Sequence, residues 1–213
     1  LAIDMRGHGL SSRPKMIDDY DFKKYVQDVL EIIKKEEIKN AFIFGHSFGA
    51  MIALLLAKEN NPAIKCVFLA GLPVQMPKWV FKIANQKWFF DRFHKWLENA
   101  ESGITDRRYV YSFKKYTGDT DQRRNLMTMR YSGLRSWFFI QYHMNRWHAK
   151  DHLKKVKKKV IFFAGKYDAF YPTRVFKKMH LATKNSVLEI AKTGHSPVIQ
   201  TPILSWIIFF SFS

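Results

Sequence analysis

The chain has one cysteine, Cys66, so it can form no internal disulfide, and the paired-cysteine spacings of zinc ribbons and CxxC redox sites are excluded. That scarcity leads us to expect a reducing, cytoplasmic compartment. Acidic residues are also few. The 18 Asp and Glu stand against 36 Lys and Arg, a net charge of +18, which brings nucleic acid and anionic membrane surfaces into view before any motif is read. No apolar run reaches the ~18 residues of a membrane-spanning helix, and the longest, Ile203 to Phe212, is interrupted at Ser205. Repeats and low-complexity tracts do not stand out. What the chain has in quantity is apolar: 47% of its 213 residues, with 16% aromatic. That supports a sizeable core in one domain, or one with an insertion, at ~100 to 200 residues per domain.

The elements alternate as parallel strands with crossover helices do. Leu1 to Asp4 reads as the end of a strand. Asp18 or Asp19 is placed to cap a helix running to Glu37, because Phe22, Val26, Val29, Leu30 and Ile33 fall at helical spacing on one face. Ala41 to Phe44 is a short strand ended by Gly45, and Phe48 to Lys58 resumes as an Ala/Leu-rich helix closed by Asn60, Asn61 and Pro62. Lys65 to Ala70, Val160 to Ala164 and Val187 to Ala191 complete the strands. The fold class expected is α/β, a mainly parallel sheet flanked by helices. Residues 1–72 and 159–213 form its core, and 73–158 form an inserted helical subdomain rich in aromatics. Trp79, Trp88, Trp96, Trp137 and Trp147 all lie in that insertion, and the lysines at 154, 155 and 157–159 mark its solvated return to the core.

Gly45-His46-Ser47-Phe48-Gly49 fits Gly-x-Ser-x-Gly and stands where such an element has to stand, after an apolar strand and at the opening of a helix. The glycines permit a sharp turn that holds Ser47 proud of the sheet, and the Phe48 amide points to where an oxyanion would form. A serine hydroxyl is a poor nucleophile at neutral pH, so it needs a base within hydrogen-bond reach and a carboxylate to fix that base's tautomer. Later strand ends supply both. Val160 to Ala164 runs into Asp168 and Val187 to Ala191 into His195, giving the order Ser47, Asp168, His195.

With these residues the chain resembles the α/β-hydrolase family over nearly its whole length. Asp4-Met5-Arg6-Gly7-His8-Gly9-Leu10-Ser11 is similar to the D-x-R-G-x-G-x-S turn after that family's fourth strand. The resemblance implies that residues 73–158 are the family's cap, that His8 belongs to the turn, and that His46 frames the elbow. Epoxide hydrolases and haloalkane dehalogenases of this fold are similar around Asp4 to Ser11 but use an aspartate nucleophile, and Ser47 speaks against both. Some relatives place the acid after the sixth strand, where Gly71-Leu72-Pro73-Val74 offers no carboxylate. The family also carries three strands upstream, with a loop that supplies a second oxyanion-hole amide. The expectation is therefore of a fragment, an incomplete gene model or a degenerate product, with the first three strands missing and the 41–44 strand left with an unpaired edge.

The implied activity is that of a serine hydrolase without cofactor or metal, cleaving a carboxylic ester of a small molecule. Amide or carbon–carbon cleavage by the same residues, and a non-catalytic binding protein of the same fold, stay open. Trp79, Trp88, Trp137 and Phe138 are candidates to line a substrate pocket. His148 and His152 stand four apart and would share a helix face, with Asp151 between them, but no third ligand is evident and exposed cap histidines are the simpler expectation. Basic residues interleave with aromatics at Arg107-Arg108-Tyr109 and from Arg123 to Tyr131, yet no recognised nucleic-acid module accompanies them. Lysine outnumbers arginine 25 to 11, which fits a generally basic surface, with weak attraction to anionic membranes or substrates, better than a reading groove.

Overall fold

The computed structural model describes residues 1–75, 92, 95–96 and 132–212. Most of the expected 73–158 insertion, including Trp79 and Trp88, lies outside them. The chain divides into two compact units, Leu1–Tyr25 with Gln75–Trp147, and Val26–Val74 with His148–Ser213.

In the first unit, Leu1 to Asp4 is not a strand. A strand needs a partner, and these residues instead brace a turn: the Asp4 carboxylate accepts the Leu10 N–H at 3.0 Å and the Asp4 carbonyl accepts the Ser11 hydroxyl at 2.6 Å. His8 lies within that turn, its Nδ1 donating to the Arg6 carbonyl at 3.2 Å. The helix expected to begin at Asp18 or Asp19 begins later. Ile17–Tyr20 forms a 3₁₀ turn, and α1 (Phe22–Lys35) is opened by Asp21, whose carboxylate accepts the Lys23 N–H at 2.8 Å. Tyr20 is fully buried, its hydroxyl 2.7 Å from Ser136 Oγ and its ring edge-on to Phe139, so it ties the 3₁₀ turn to α3 (Leu134–Met144). His143 Nε2, on α3, donates to the Ile17 carbonyl at 2.9 Å.

The second unit holds the sheet. β1 (Ala41–His46), β2 (Ile64–Ala70), β3 (Lys159–Gly165) and β4 (Ser186–Ala191) lie in that order, all parallel. Each ends within a residue or two of where the apolar runs end, because a continuous Val/Ile/Phe run suits a strand covered on both faces. α2 (Phe48–Lys58) packs on β1 and β2, burying Ala50 to Ala57, and stops just before Asn60, which adopts a left-handed φ of 54°. α4 (Lys150–Leu153) leads into β3, and α5 (Thr173–Leu181) joins β3 to β4. After β4 come α6 (Pro197–Gln200) and α7 (Pro202–Phe212). Phe68, Phe163, Ala191 and Ile208 share a buried cluster, with Val187, Val198 and Phe209 packed against it.

The register sets the site. His46 pairs with Ala70, Ala70 with Phe163, and Gly165 with Ala191, so the carboxyl ends of all four strands reach nearly the same level. Among the described residues β1 is an edge strand, as expected. Phe42 and Phe44 are 37% and 41% exposed along it, the latter stacked on Phe68 at 5.0 Å. α7 also leaves Ile203, Trp206, Ile207 and Phe210 mostly in solvent. Among the described residues no helix is long and apolar enough to cross a membrane. His148 and His152 are not on one helix face, since α4 begins only at Lys150, and both are half-buried rather than exposed.

Two outcomes follow from this packing. Phe42 is 37% exposed, so Phe42→Lys changes stability in urea denaturation by no more than ~0.5 kcal/mol; a loss of several kcal/mol contradicts this reading of the edge. Burial is the main cause that pushes His8, His143 and His152 below the ordinary value of 6.5. The unfolded chain then binds more protons just below that value, so stability is full above 6.5 and falls as the pH drops toward the folded values. Thermal midpoints decline from pH 7.5 to 5.5, and the decline is shallower in His143→Gln.

Candidate functional site

β1 ends at His46 and α2 starts at Phe48, leaving Ser47 alone to turn the chain. Its φ of 50° and ψ of −115° are strained for a side-chain-bearing residue. The strain is held from both sides: the Ser47 N–H donates to Ala70 O at 2.9 Å, and Ser47 O accepts from Ala50 N at 2.9 Å. Gly45 permits the sharp bend, because a Cβ there would strike the Gly49 carbonyl. Phe48, as the first residue of α2, directs its amide out of the helix N-terminus, where backbone N–H groups favour negative charge.

Asp168 follows β3 and His195 follows β4. The two loops are zipped together by Lys166 N to Ala191 O at 2.7 Å and Tyr167 N to Thr193 O at 2.8 Å. Their side chains then meet. His195 Nδ1 lies 2.9 Å from Asp168 Oδ2, and His195 Nε2 lies 3.2 Å from Ser47 Oγ. A carboxylate only accepts, so Nδ1 carries the proton, and Nε2 is left to accept the serine hydroxyl's hydrogen. Asp168 and His195 are both buried. The second oxygen of Asp168 accepts the N–H groups of Phe170 and Tyr171 at 2.7 and 2.9 Å, which fixes the carboxylate's orientation. Burial first, and the negative Asp168 beside it second, push the Tyr171 phenol up to about 12, so it stays neutral.

Of the three residues expected to act together, His195 therefore sits within hydrogen-bond reach of both Ser47 and Asp168. His46 frames the elbow by donating from Nε2 to the His195 carbonyl at 3.3 Å, which holds the imidazole's own backbone. Of the pocket candidates, Trp137 and Phe138 lie half-buried on α3 of the first unit, packed edge to face at 4.9 Å, while Trp79 and Trp88 are outside the described residues. Among the described residues no three His, Cys, Asp or Glu side chains gather as metal ligands do.

Two contributors escape sequence reasoning. Gly71, just past β2, adopts a φ of +54° and passes so close to His195 that a Cβ would overlap the His195 carbonyl oxygen. Its only sequence signal is a glycine at a strand's carboxyl end. Phe170 sets its ring edge-on to the imidazole, centroids 5.0 Å apart, and carries no sequence signal at all. Gly71→Ala is expected to displace His195 by a fraction of an ångström or more, enough to disturb its 3.2 Å contact with Ser47 Oγ. The nitrogen-15 shifts of the His195 ring should then move with the far-UV circular dichroism retained; unchanged shifts contradict the role given to Gly71.

A family model described as the alpha/beta hydrolase fold matches residues 1–202. Epoxide hydrolase 2 of Caenorhabditis elegans is 27% identical over 130 residues, covering 61% of this chain and 32% of that protein, so the chain spans about a third of that relative's length. Putative esterase/lipase 2 of Mycoplasma pneumoniae is 26% identical over 213 residues, 96% of this chain and 74% of that one. Among solved structures, an esterase from Exiguobacterium antarcticum superposes with a TM-score of 0.68 at 19% identity, covering 98% of this chain and 79% of that one. The strand–serine–helix elbow, the parallel sheet and the matched family model agree: the chain belongs to the alpha/beta hydrolase fold family.

Proposed function

We propose that the protein is a serine hydrolase that cleaves a carboxylic ester through an acyl-enzyme, with no cofactor. The observation that carries this reading is the continuous hydrogen-bonded chain from Ser47 Oγ through His195 to Asp168. Ser47 Oγ attacks the acyl carbonyl as its proton passes to His195 Nε2, and the Oγ–C bond forms. The carbonyl oxygen becomes an oxyanion, stabilised in part by the Phe48 amide. The C–O bond to the leaving group then breaks, and that oxygen takes the proton from Nε2. Water repeats the sequence: it gives a proton to Nε2, attacks the acyl carbon, and releases the acid as Ser47 Oγ is reprotonated. Throughout, Asp168 keeps the Nδ1 proton in place and offsets the positive imidazolium.

The relatives named as epoxide hydrolases share part of the chain. Enzymes of that kind resemble this chain around Asp4 to Ser11 but carry an aspartate at the elbow, where this chain has Ser47. An alcohol at that position favours acyl transfer over epoxide opening, and the relative named as an esterase/lipase accords with it.

The reading is tested with a fluorophosphonate probe and p-nitrophenyl butyrate. The protein is expected to be labelled at Ser47 and to turn the ester over. Ser47→Ala abolishes labelling, Asp168→Asn lowers turnover by about 10⁴-fold, and His195→Ala lowers it by about 10⁶-fold, as losses within such a unit do elsewhere. A folded protein that takes up no label and hydrolyses no ester overturns the proposal.

A further inference from the structure

The loop that positions Asp168 also displays an apolar ring that nothing in the core requires to be in solvent. Asp168 uses one oxygen for His195 and the other for the N–H groups of Phe170 and Tyr171, so the backbone at 170 is fixed by the same carboxylate that holds the imidazole. The two neighbouring aromatics meet different surroundings. Tyr171 is half-buried, its ring 5.9 Å from that of His195. Phe170 is 54% exposed, yet its ring lies 5.0 Å from the imidazole centre at 72°. Leaving a phenyl ring in water on a braced loop forgoes hydrophobic free energy, which an apolar ligand covering the ring would restore.

We infer that Phe170 is a specificity-determining residue, the apolar wall met by an alkyl or aryl leaving group as it takes its proton from His195. The inference rests on the serine-hydrolase reading and narrows its substrates to esters whose alcohol part is apolar. The geometry is simple. His195 Nδ1 is committed to Asp168, so proton transfer to the leaving oxygen goes through Nε2, and that oxygen must come within ~3 Å of it. A ring centred 5.0 Å from the imidazole is then within the span of an alkyl chain of several carbons attached to the leaving oxygen. Charged or heavily hydroxylated alcohols gain nothing from such a wall and lose hydration against it.

Ethyl acetate and hexyl acetate share the acyl group and have alcohols of similar acidity, so their kcat/KM ratio reports recognition of the leaving group alone. The wild type is expected to favour the hexyl ester. Phe170→Ala lowers that preference by about tenfold, the low end of what one methylene is worth in an apolar pocket, with the loss falling on KM for the hexyl ester, and Phe170→Leu recovers most of it. An equal loss on both esters assigns Phe170 to positioning of His195 and overturns the inference, as does an unchanged ratio. Turnover and Ser47 labelling with an unchanged ratio sink this inference alone, whereas absence of both turnover and labelling sinks the serine-hydrolase reading and this inference with it.

Discussion

The hydrogen bond between His195 Nδ1 and Asp168 Oδ2, 2.9 Å long and shielded from solvent, is the interaction on which the site depends. It fixes the tautomer, and only that tautomer presents a lone pair at Nε2 to Ser47. Everything nearby restrains one end or the other of this bond. The N–H groups of Phe170 and Tyr171 hold the carboxylate, and the His46 ring holds the His195 carbonyl. A buried carboxylate with its hydrogen bonds satisfied offsets a positive imidazolium far more effectively than one in water. In the proposed reaction, that difference is what makes the Ser47 alcohol usable as a nucleophile.

Those restraints exist because a parallel sheet brings distant segments to one level. Ser47, Asp168 and His195 follow β1, β3 and β4, whose carboxyl ends align through the β2 register at Ala70. β2 contributes no polar side chain. Its part is the Ala70 carbonyl that braces Ser47 and the glycine turn that makes room for His195. The same sheet ends, among the described residues, in an edge where Phe42 and Phe44 meet solvent, beside an apolar α7. The structural order of the site and the apolar exposure of the edge thus belong to one architecture.

The catalytic candidates were legible in the sequence because each follows a strand, and strands covered on both faces announce themselves as unbroken apolar runs. Gly45 before Ser47 then gives the turn its room, whereas a side chain at Gly49, which the motif also specifies, would meet open space. Local competition blurred other boundaries: Ile17–Tyr20 closes as a 3₁₀ turn, so Asp21 rather than Asp18 or Asp19 opens α1. Leu1 to Asp4 has strand composition, but strand formation depends on a partner, which no local pattern supplies. Helical spacing between His148 and His152 lost its meaning once the helix proved to begin at Lys150. Gly71 and Phe170 meet His195 from more than twenty residues away in the chain, and such contacts leave no periodicity to read.

The most direct test of the account is proton NMR of the protein labelled with nitrogen-15 in histidine. The account predicts one strongly deshielded N–H, coupled to the Nδ1 of His195, that disappears in Asp168→Ala and persists in Ser47→Ala. If no such proton is seen in the folded protein, or if it survives removal of the Asp168 carboxylate, the hydrogen-bonded arrangement at the centre of this account is wrong.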